Sequence, residues 1–410
     1  MRTTSTIRLD RDALEANLQA LRALGDGSHG ICAVVKADAY GIGASRVIPR
    51  MVPQGVDLLA VFSPSEACEI SEFSGQTPIL VLMPVHELDR SQASMGLLSH
   101  GRLHLVAHDE KQILNLEEEA RILGVRIPLH LELDTGMGRG GCLPAEASRV
   151  LSIISASSRL ELAGLMTHLP DPVGDPDRSR SQRATLTSFL EEHQALVPER
   201  CRLHAAATAA AIRDSSLRLD MLRVGIGWAG ITDHVLQDQS SEHVGHSFQP
   251  ILSWWSNCMH IRQLSEGSTV GYGSGWRASR DSRIGLVPVG YADGFAPPRN
   301  GMQHRVMVHG RSGSRLVPVV GSVNMDQIML DLTDAGSIES GDAVELISND
   351  PSSPIHLTRV AARAGMLPYA FLTGLGHRIP RVLVAGGHGS HSATTSLSFT
   401  EARDRQAMGG

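Results

Sequence analysis

Long apolar runs and paired cysteines are missing from this chain and no secretion signal is expected at its start, and each absence narrows what it can be. No stretch of the 410 residues approaches the roughly 20 apolar residues that cross a bilayer, so no membrane partner is expected. The opening MRTTSTIRLD lacks the apolar core of a secretory signal. Cysteine is scarce: Cys32, Cys68, Cys142, Cys201 and Cys258 are scattered, odd in number and without a CxxC pair. That usage excludes a disulfide framework or a zinc ribbon, and predicts reduced thiols, no metal and a cytoplasmic protein. A net charge of −6 and a pI near 6.3 give nucleic acid no electrostatic reason to bind. No repeat at a solenoid period is present.

What is there is ordinary globular composition, 42% apolar and 20% charged, on a chain too long for one small core. Along residues 11–240 a strand-then-helix rhythm repeats. Asp10 can cap a helix carrying Leu14, Leu18 and Leu21 on one stripe and stopping at Gly25. Ser63-Pro64-Ser65-Glu66 is a capping box with proline at the first helical position. Strands are predicted at GICAVVKA, DLLAVF, PILVLMPV, RLHLVAHD, RIPLHLELD, LELAGLMTH, CRLHAAATAA and MLRVGIGWAG, with Asp109 capping the helix before the fifth. Eight such strands alternating with helices suit a (β/α)8 TIM-like barrel. A doubly wound open sheet would need a glycine-rich phosphate turn after its first strand, and none is there.

After residue 240 the helical period fades and β-runs take over, which predicts a C-terminal mainly β domain over 241–385, with one helix near 358–366. The polar stretch 233–247 is the expected boundary, and residues 386–410 are expected to be a weakly ordered tail. Residues 1–10 are expected to join the β domain. Trp254 and Trp255 are expected to be a core and edge pair of that domain, and the HGSH run at 388–391 is not expected to bind metal.

In a (β/α)8 barrel the chemistry sits at the C-terminal ends of the strands. Lys36 closes the first predicted strand, in AVVKADAYG. A lysine there is costly as a cation, so its pKa falls readily, and such lysines form Schiff bases. A lone lysine so placed more often snorkels to solvent. On the fifth strand, alternation puts His130, Glu132 and Asp134 on one face, opposite Leu129, Leu131 and Leu133, and Arg139 follows in a glycine-rich loop. His168 ends the sixth strand, Thr208 the seventh, and Arg223-Val224-Gly225-Ile226 the eighth. Any one of these is equally well a hydrogen-bonded strand end. Together, a lysine and a phosphate cradle after strands seven and eight point to pyridoxal 5'-phosphate.

The motifs AVVKADAYG, LDTGMGRGG, MTH, RVGIGWAG, VGYGSGW, VGYADGF and GSVNMDQIMLDL stand in this order over nearly the whole length. With them the chain resembles the alanine racemases. The resemblance implies an amino-acid racemase that interconverts L- and D-alanine by a two-base mechanism on pyridoxal phosphate. Lys36 would carry the cofactor, and Tyr40, Thr208, Gly225 and Ile226 would hold its phosphate. His168 would pack by the pyridine ring and Arg223 would face the ring nitrogen. Arg139 would hold the phenolic oxygen and support the substrate carboxylate. Tyr272 would be the second base, with Tyr291, Met325 and Asp326 lining the site. The resemblance also implies a head-to-tail homodimer in which the β domain of one subunit completes the barrel site of the other.

Some positions depart from the family pattern. Glu132 stands where many relatives carry a CO2-modified lysine, and its shorter stem predicts an indirect link to Arg139. His377 replaces a tyrosine in GHRIPR, while Thr208 and Ala207 stand for serine and asparagine. A smaller His377 would loosen the pocket and either bond Tyr272 or admit a hydroxyl, which leaves a racemase of another small amino acid such as serine as the alternative. A basic amino-acid decarboxylase of the same fold class would need an HxGS stretch and a glycine-triplet loop, and neither is found. A non-catalytic pyridoxal phosphate carrier would lack the β domain and any counterpart of Tyr272.

Overall fold

A computed structural model describes residues 4–24, 27–232 and 248–386. The predicted boundary at 233–247, Gly25 and nearly all of the C-terminal tail, with its HGSH run, lie outside the described residues. Eight parallel strands form one sheet: β2 (Gly30–Val34), β3 (Leu58–Val61), β4 (Ile79–Val81), β5 (Leu103–Ala107), β6 (Ile127–Glu132), β7 (Leu160–Met166), β8 (Arg202–His204) and β9 (Met221–Val224). Their order, β8-β7-β6-β5-β4-β3-β2-β9, follows the chain except that β9 returns to β2, so the sheet curls into a nearly closed barrel. The Arg223 N–H helps to close the seam by donating to the Ala206 carbonyl at 2.9 Å.

Local signals start the helices where the sequence places them. The Asp10 carboxylate accepts the Ala13 N–H at 2.9 Å and opens the helix Arg11–Arg22, which buries Leu14, Leu18 and Leu21. Ser63 and Glu66 form the reciprocal capping box of Pro64–Ile70, and Asp109 caps Glu110–Leu123 through Gln112. The strand ends fall short of their predicted limits. β2 stops at Val34, two residues before Lys36, and β7 stops at Met166, two before His168. The run CRLHAAATAA is only partly extended: β8 ends at His204 and Thr208 opens the helix Thr208–Arg213. Thr208 is therefore a helix start rather than a strand end, because the alanine run after it has high helix propensity.

The barrel interior is divided. Cys32, Val34, Leu58, Ala60, Leu80, Val106, Met166 and Met221 form an apolar cluster along one part of it. His104, His130, His204 and Arg223 fill the rest with polar groups bonded to one another.

The second body is a nine-stranded sheet of order β11-β14-β17-β16-β15-β18-β10-β1-β19. β1 (Ser5–Asp10) lies between β10 (Leu252–Asn257), antiparallel, and β19 (Arg381–Val384), parallel, so both ends of the described chain meet in one sheet. The intervening strands are β11 (His260–Leu264), β14 (Ser282–Val287), β15 (Arg305–Gly310), β16 (Gly313–Val320), β17 (Ile328–Asp331) and β18 (Ala343–Ile347), while β12 (Thr269–Val270) and β13 (Trp276–Arg277) make a separate ribbon. Trp254 is fully buried, donates to Ser5 Oγ at 2.7 Å and meets Phe295 edge-on. Two helices, Leu357–Arg363 and Pro368–Thr373, replace the single one predicted, because Gly365 adopts φ +70 and Pro368 begins a second.

The two bodies meet where Lys36 stands. Arg381 sends its guanidinium to the Gly41 carbonyl, at 2.9 Å from Nη2, and to the carbonyls of Leu375 and Ile379. A Cβ on Gly41, whose φ is +74, would also overlap the carbonyl oxygen of Leu372. Gly41→Ala is expected to destabilise the fold by about 2 kcal/mol through the left-handed backbone alone, and by more through that overlap. A denaturant midpoint equal to that of the parent would contradict this account.

Candidate active site

Lys36 begins an unusual turn. Ala37, Asp38, Ala39 and Tyr40 have φ of 54, 51, 54 and 59, a left-handed helical turn built from residues other than glycine. The turn is held from outside: Glu66 accepts the Ala37 N–H and the Phe62 N–H, each at 2.7 Å, and Asp38 accepts the Ala44 N–H at 2.7 Å. It leaves Lys36 half-buried at the mouth of the barrel. Burial and the charge of Arg139 lower its pKa, against a weaker pull from Glu66, so the neutral amine is within easier reach than in water.

Tyr40, at the other end of the turn, packs against the loop after β9. A Cβ on Gly225 would overlap the Tyr40 hydroxyl, and one on Gly227 would lie 3.0 Å from Thr208 Oγ1. Thr208 Oγ1 in turn accepts the Gly227 N–H at 3.3 Å. Burial pushes the Tyr40 phenol up, helped by Tyr369 and Cys32, so it stays a hydrogen-bond donor. A donor phenol, a hydroxyl and backbone of two glycines that admit no side chain make a cradle suited to a phosphate.

Arg223 reaches into the barrel and is 5% exposed. Nη1 donates to His204 Nδ1 at 2.8 Å and to the His204 carbonyl at 3.2 Å, and Nη2 donates to the Thr167 carbonyl at 2.8 Å and to His168 Nδ1 at 3.3 Å. Those bonds engage every Nη hydrogen and leave Nε–H without a partner among the described residues. Burial, with Arg223, Arg139 and Lys36 nearby, pushes His168 down to about 3, so its ring is neutral.

Arg139 is exposed in the loop after β6, and its charge is felt by Lys36, His168 and Arg223. Asp134 organises that loop by accepting the N–H groups of Gly136, Met137 and Gly138. Its carboxylate therefore turns to the loop and leaves the polar stripe predicted with His130 and Glu132. Glu132 has no hydrogen bond or ion pair to Arg139 among the described residues. Its Oε2 lies 3.4 Å from His108 Nδ1, which accepts the Gly141 N–H at 3.1 Å. His108 thus holds the loop that carries Arg139 through Gly141, with the Glu132 side chain packed beside the ring and the Glu132 carbonyl accepting the Cys142 N–H at 2.8 Å.

The remaining predicted residues lie on the β domain and face outward in the single chain. Tyr272 is 79% exposed, Met325 54% and Tyr291 48%. Asp326 is tied to Arg378, which also holds Asp293 at 2.6 Å. No hydrogen bond, ion pair or ring contact joins this group to Lys36 or the cradle among the described residues, and none joins His377 to Tyr272. Sequence reasoning missed His104, His108, His204, Arg378 and Arg381. The alternation that exposes His130 on β6 also puts His104 in phase with Val106 on β5, a signal that was available.

Comparison with known proteins agrees with the geometry. Residues 9–233 match the family described as alanine racemase, N-terminal domain, and residues 251–383 match alanine racemase, C-terminal domain. An alanine racemase of Halothermothrix orenii is 31% identical over 91% of this chain and 95% of its own length. The solved alanine racemase of Clostridium difficile 630 superposes with a TM-score of 0.81 at 26% identity, over 94% of this chain and 97% of that one. The Bartonella henselae alanine racemase, solved with covalently bound pyridoxal phosphate, shares the fold at a TM-score of 0.76 and 23% identity, over 93% and 100% of the two chains.

Buried neutral imidazoles set a pH limit. Burial holds His130 and His204 well below their ordinary value and His104 at about 4. The unfolded chain binds protons on these rings near pH 6.5 and the folded one does not, so the stability they contribute is complete above that pH. It is lost as pH falls toward about 4. Melting temperature should drop steadily between pH 7 and 4.5, and less steeply in His104→Gln; a flat profile in the parent would refute the assignment. Because Glu132 supplies a carboxylate without modification, activity should be indifferent to added or removed bicarbonate. Glu132→Gln should lower kcat/KM by about tenfold through a misplaced Arg139 loop. Parental kinetics in that variant would reduce Glu132 to a strand-end acid.

Proposed function

The chain belongs to the alanine racemase family and is an isomerase of L- and D-alanine, and from that premise we propose that Lys36 and Tyr272 move the Cα proton from opposite faces of the substrate. The observation that carries this reading is the lowered pKa and half-burial of Lys36 beside a ready phosphate cradle. Pyridoxal 5'-phosphate, bound there, would supply an electron sink for the charge left on Cα when its proton departs. Tyr40, Thr208, Gly225 and Ile226 would hold its phosphate, and His168 would pack by its ring. The unpartnered Nε–H of Arg223 would face the ring nitrogen, and because arginine does not give up its proton, it would offer a hydrogen bond there without protonating it.

Arg139 would hold the phenolic oxygen and support the substrate carboxylate as a planar donor fork. Lys36 Nζ takes or returns a proton on one face, and Tyr272 Oη does so on the other. In one chain Tyr272 is 79% exposed and has no contact with Lys36. We infer that the second face is supplied by another copy, whose Tyr272, Tyr291, Met325 and Asp326 close the barrel mouth in a head-to-tail homodimer. The Arg378 bridge to Asp293 and Asp326 presents these loops as one surface. A serine racemase is not favoured: the named relatives are alanine racemases. Five free cysteines fit a cytoplasmic location, and among the described residues no helix is long and apolar enough to cross a membrane.

Lys111 is the only other lysine in the chain. Borohydride reduction of protein loaded with pyridoxal phosphate should place the label on the Lys36 peptide, and label on the Lys111 peptide would sink the assignment. Tyr272→Phe should abolish racemisation while solvent exchange at Cα persists preferentially for D-alanine, the enantiomer assigned to the lysine face. Loss of exchange for both enantiomers would contradict the two-base scheme. Lys36→Ala and Tyr272→Phe chains, each inactive alone, should recover roughly a quarter of parental activity when co-expressed, since mixed dimers hold one intact site. No recovery would place both bases in one chain.

A further inference from the structure

The barrel interior holds a run of hydrogen bonds with only one possible direction. Arg223 can only donate, so its 2.8 Å contact makes His204 Nδ1 an acceptor. His204 then carries its proton on Nε2 and donates it to His130 Nδ1 at 2.9 Å. By the same logic His130 donates from Nε2 to His104 Nδ1 at 3.0 Å, and the backbone of Gly101 receives the last ring N–H. The permanent charge at one end therefore fixes the three rings as neutral Nε2–H tautomers pointing the same way.

The fold makes room for this run. His130 is 2% exposed and His204 0%. Gly164 stands beside His130 on β7, where a Cβ would lie 2.8 Å from His130 Cε1 and closer still to Nδ1. Glycine weakens a strand interior, and here the imidazole takes the space that a side chain would fill. At the other end Arg223 is a buried cation with no carboxylate among its hydrogen-bond partners. Aligned ring dipoles turn their acceptor ends toward it and polarise one another, which helps to hold a buried cation that no carboxylate bonds directly and that the charge of Glu132 nearby offsets.

Resting on the reading of Arg223 as the partner of the cofactor's ring nitrogen, we propose that His104 and His130 are positioning residues of the reaction. Through His204 they lock the guanidinium so that Nε–H is the donor it offers. Neither ring is among the groups placed at substrate or cofactor. A proton added to any ring would turn its acceptor nitrogen into a donor and break the run beside Arg223.

The test uses the full-length holoenzyme. His130→Leu removes both bonds of the middle ring, whereas His130→Gln restores one acceptor and one donor. With L-alanine, misplacement of Arg223 should let the amino group transfer to the cofactor, giving pyruvate and pyridoxamine phosphate in place of D-alanine. The pyruvate to D-alanine ratio is expected to rise about tenfold in His130→Leu, with KM changed by less than about twofold, and to fall back in His130→Gln. Gly164→Ala displaces His130 without altering a polar group and should move the ratio in the same direction. Nitrogen-15 NMR of histidine-labelled protein, with and without cofactor, should show Nε2–H tautomers for all three rings, assigned by single variants. An Nδ1–H ring or an imidazolium among them overturns the relay. Arg223→Lys separates the two readings. If it raises the ratio while His130→Leu and Gly164→Ala do not, the relay is wrong and Arg223 keeps its role. If Arg223→Lys leaves the ratio unchanged, the role of Arg223 falls and the proposal with it.

Discussion

The left-handed turn after β2 is the constraint on which the barrel mouth depends. Four consecutive residues with side chains, Ala37 to Tyr40, stand at φ between 51 and 59, each costing roughly 1–2 kcal/mol relative to an ordinary backbone. No local preference would produce this. It persists because neighbours hold it: Glu66 takes the Ala37 N–H, Asp38 takes the Ala44 N–H, and Arg381 grips the Gly41 carbonyl from the far end of the chain. One turn thereby sets both ends of the site, with Lys36 at its first residue and the Tyr40 phenol against Gly225. A right-handed turn of the same length would send these side chains elsewhere. Strain of this kind belongs where a geometry must be held before the ligand arrives.

A second constraint runs through the barrel. Packed barrels are filled by apolar layers, yet this one gives part of its interior to Arg223 and the rings that serve it. A buried unpaired guanidinium would be severely destabilising. Here His204, Thr167 and His168 engage its Nη hydrogens, and the remaining Nε–H is the one proposed to meet the cofactor. Stability and function draw on the same bonds, so the polar interior is stable only while its rings stay neutral.

The domains contribute unequally. The barrel carries the lysine, the cradle and the arginines, while the β domain carries Tyr272, Tyr291 and Met325 on its exposed surface. Threading β1 between β10 and β19 fastens the barrel's first residues into that surface. Arg378 and Arg381 divide the remaining work, the first bracing the exposed loops through Asp293 and Asp326, the second pinning the Lys36 turn. The candidate site residues thus lie as two sets on different parts of one chain, the arrangement from which a second copy was proposed to complete the site.

Much of this was legible in the residues. Asp10, Ser63 with Glu66, and Asp109 start helices through bonds reaching three residues along the chain, and such short-range chemistry does not wait for the fold. The change from helical to β grammar marked two bodies, and the order of the motifs marked the family. Strand ends were less legible: Thr208 looked extended because an apolar run does not say which period it will adopt, and the helix propensity of the alanines after it made it a helix start. Asp134 looked like part of a stripe until the glycine loop folded back to claim its carboxylate. Residue types and local starts were determined by the sequence alone, because they depend on neighbours a few bonds away. The left-handed turn, the direction of the imidazole run and the outward position of Tyr272 were decided only by tertiary structure, because each is set by groups such as Arg381, Arg223 and the β-domain sheet that lie far off along the chain.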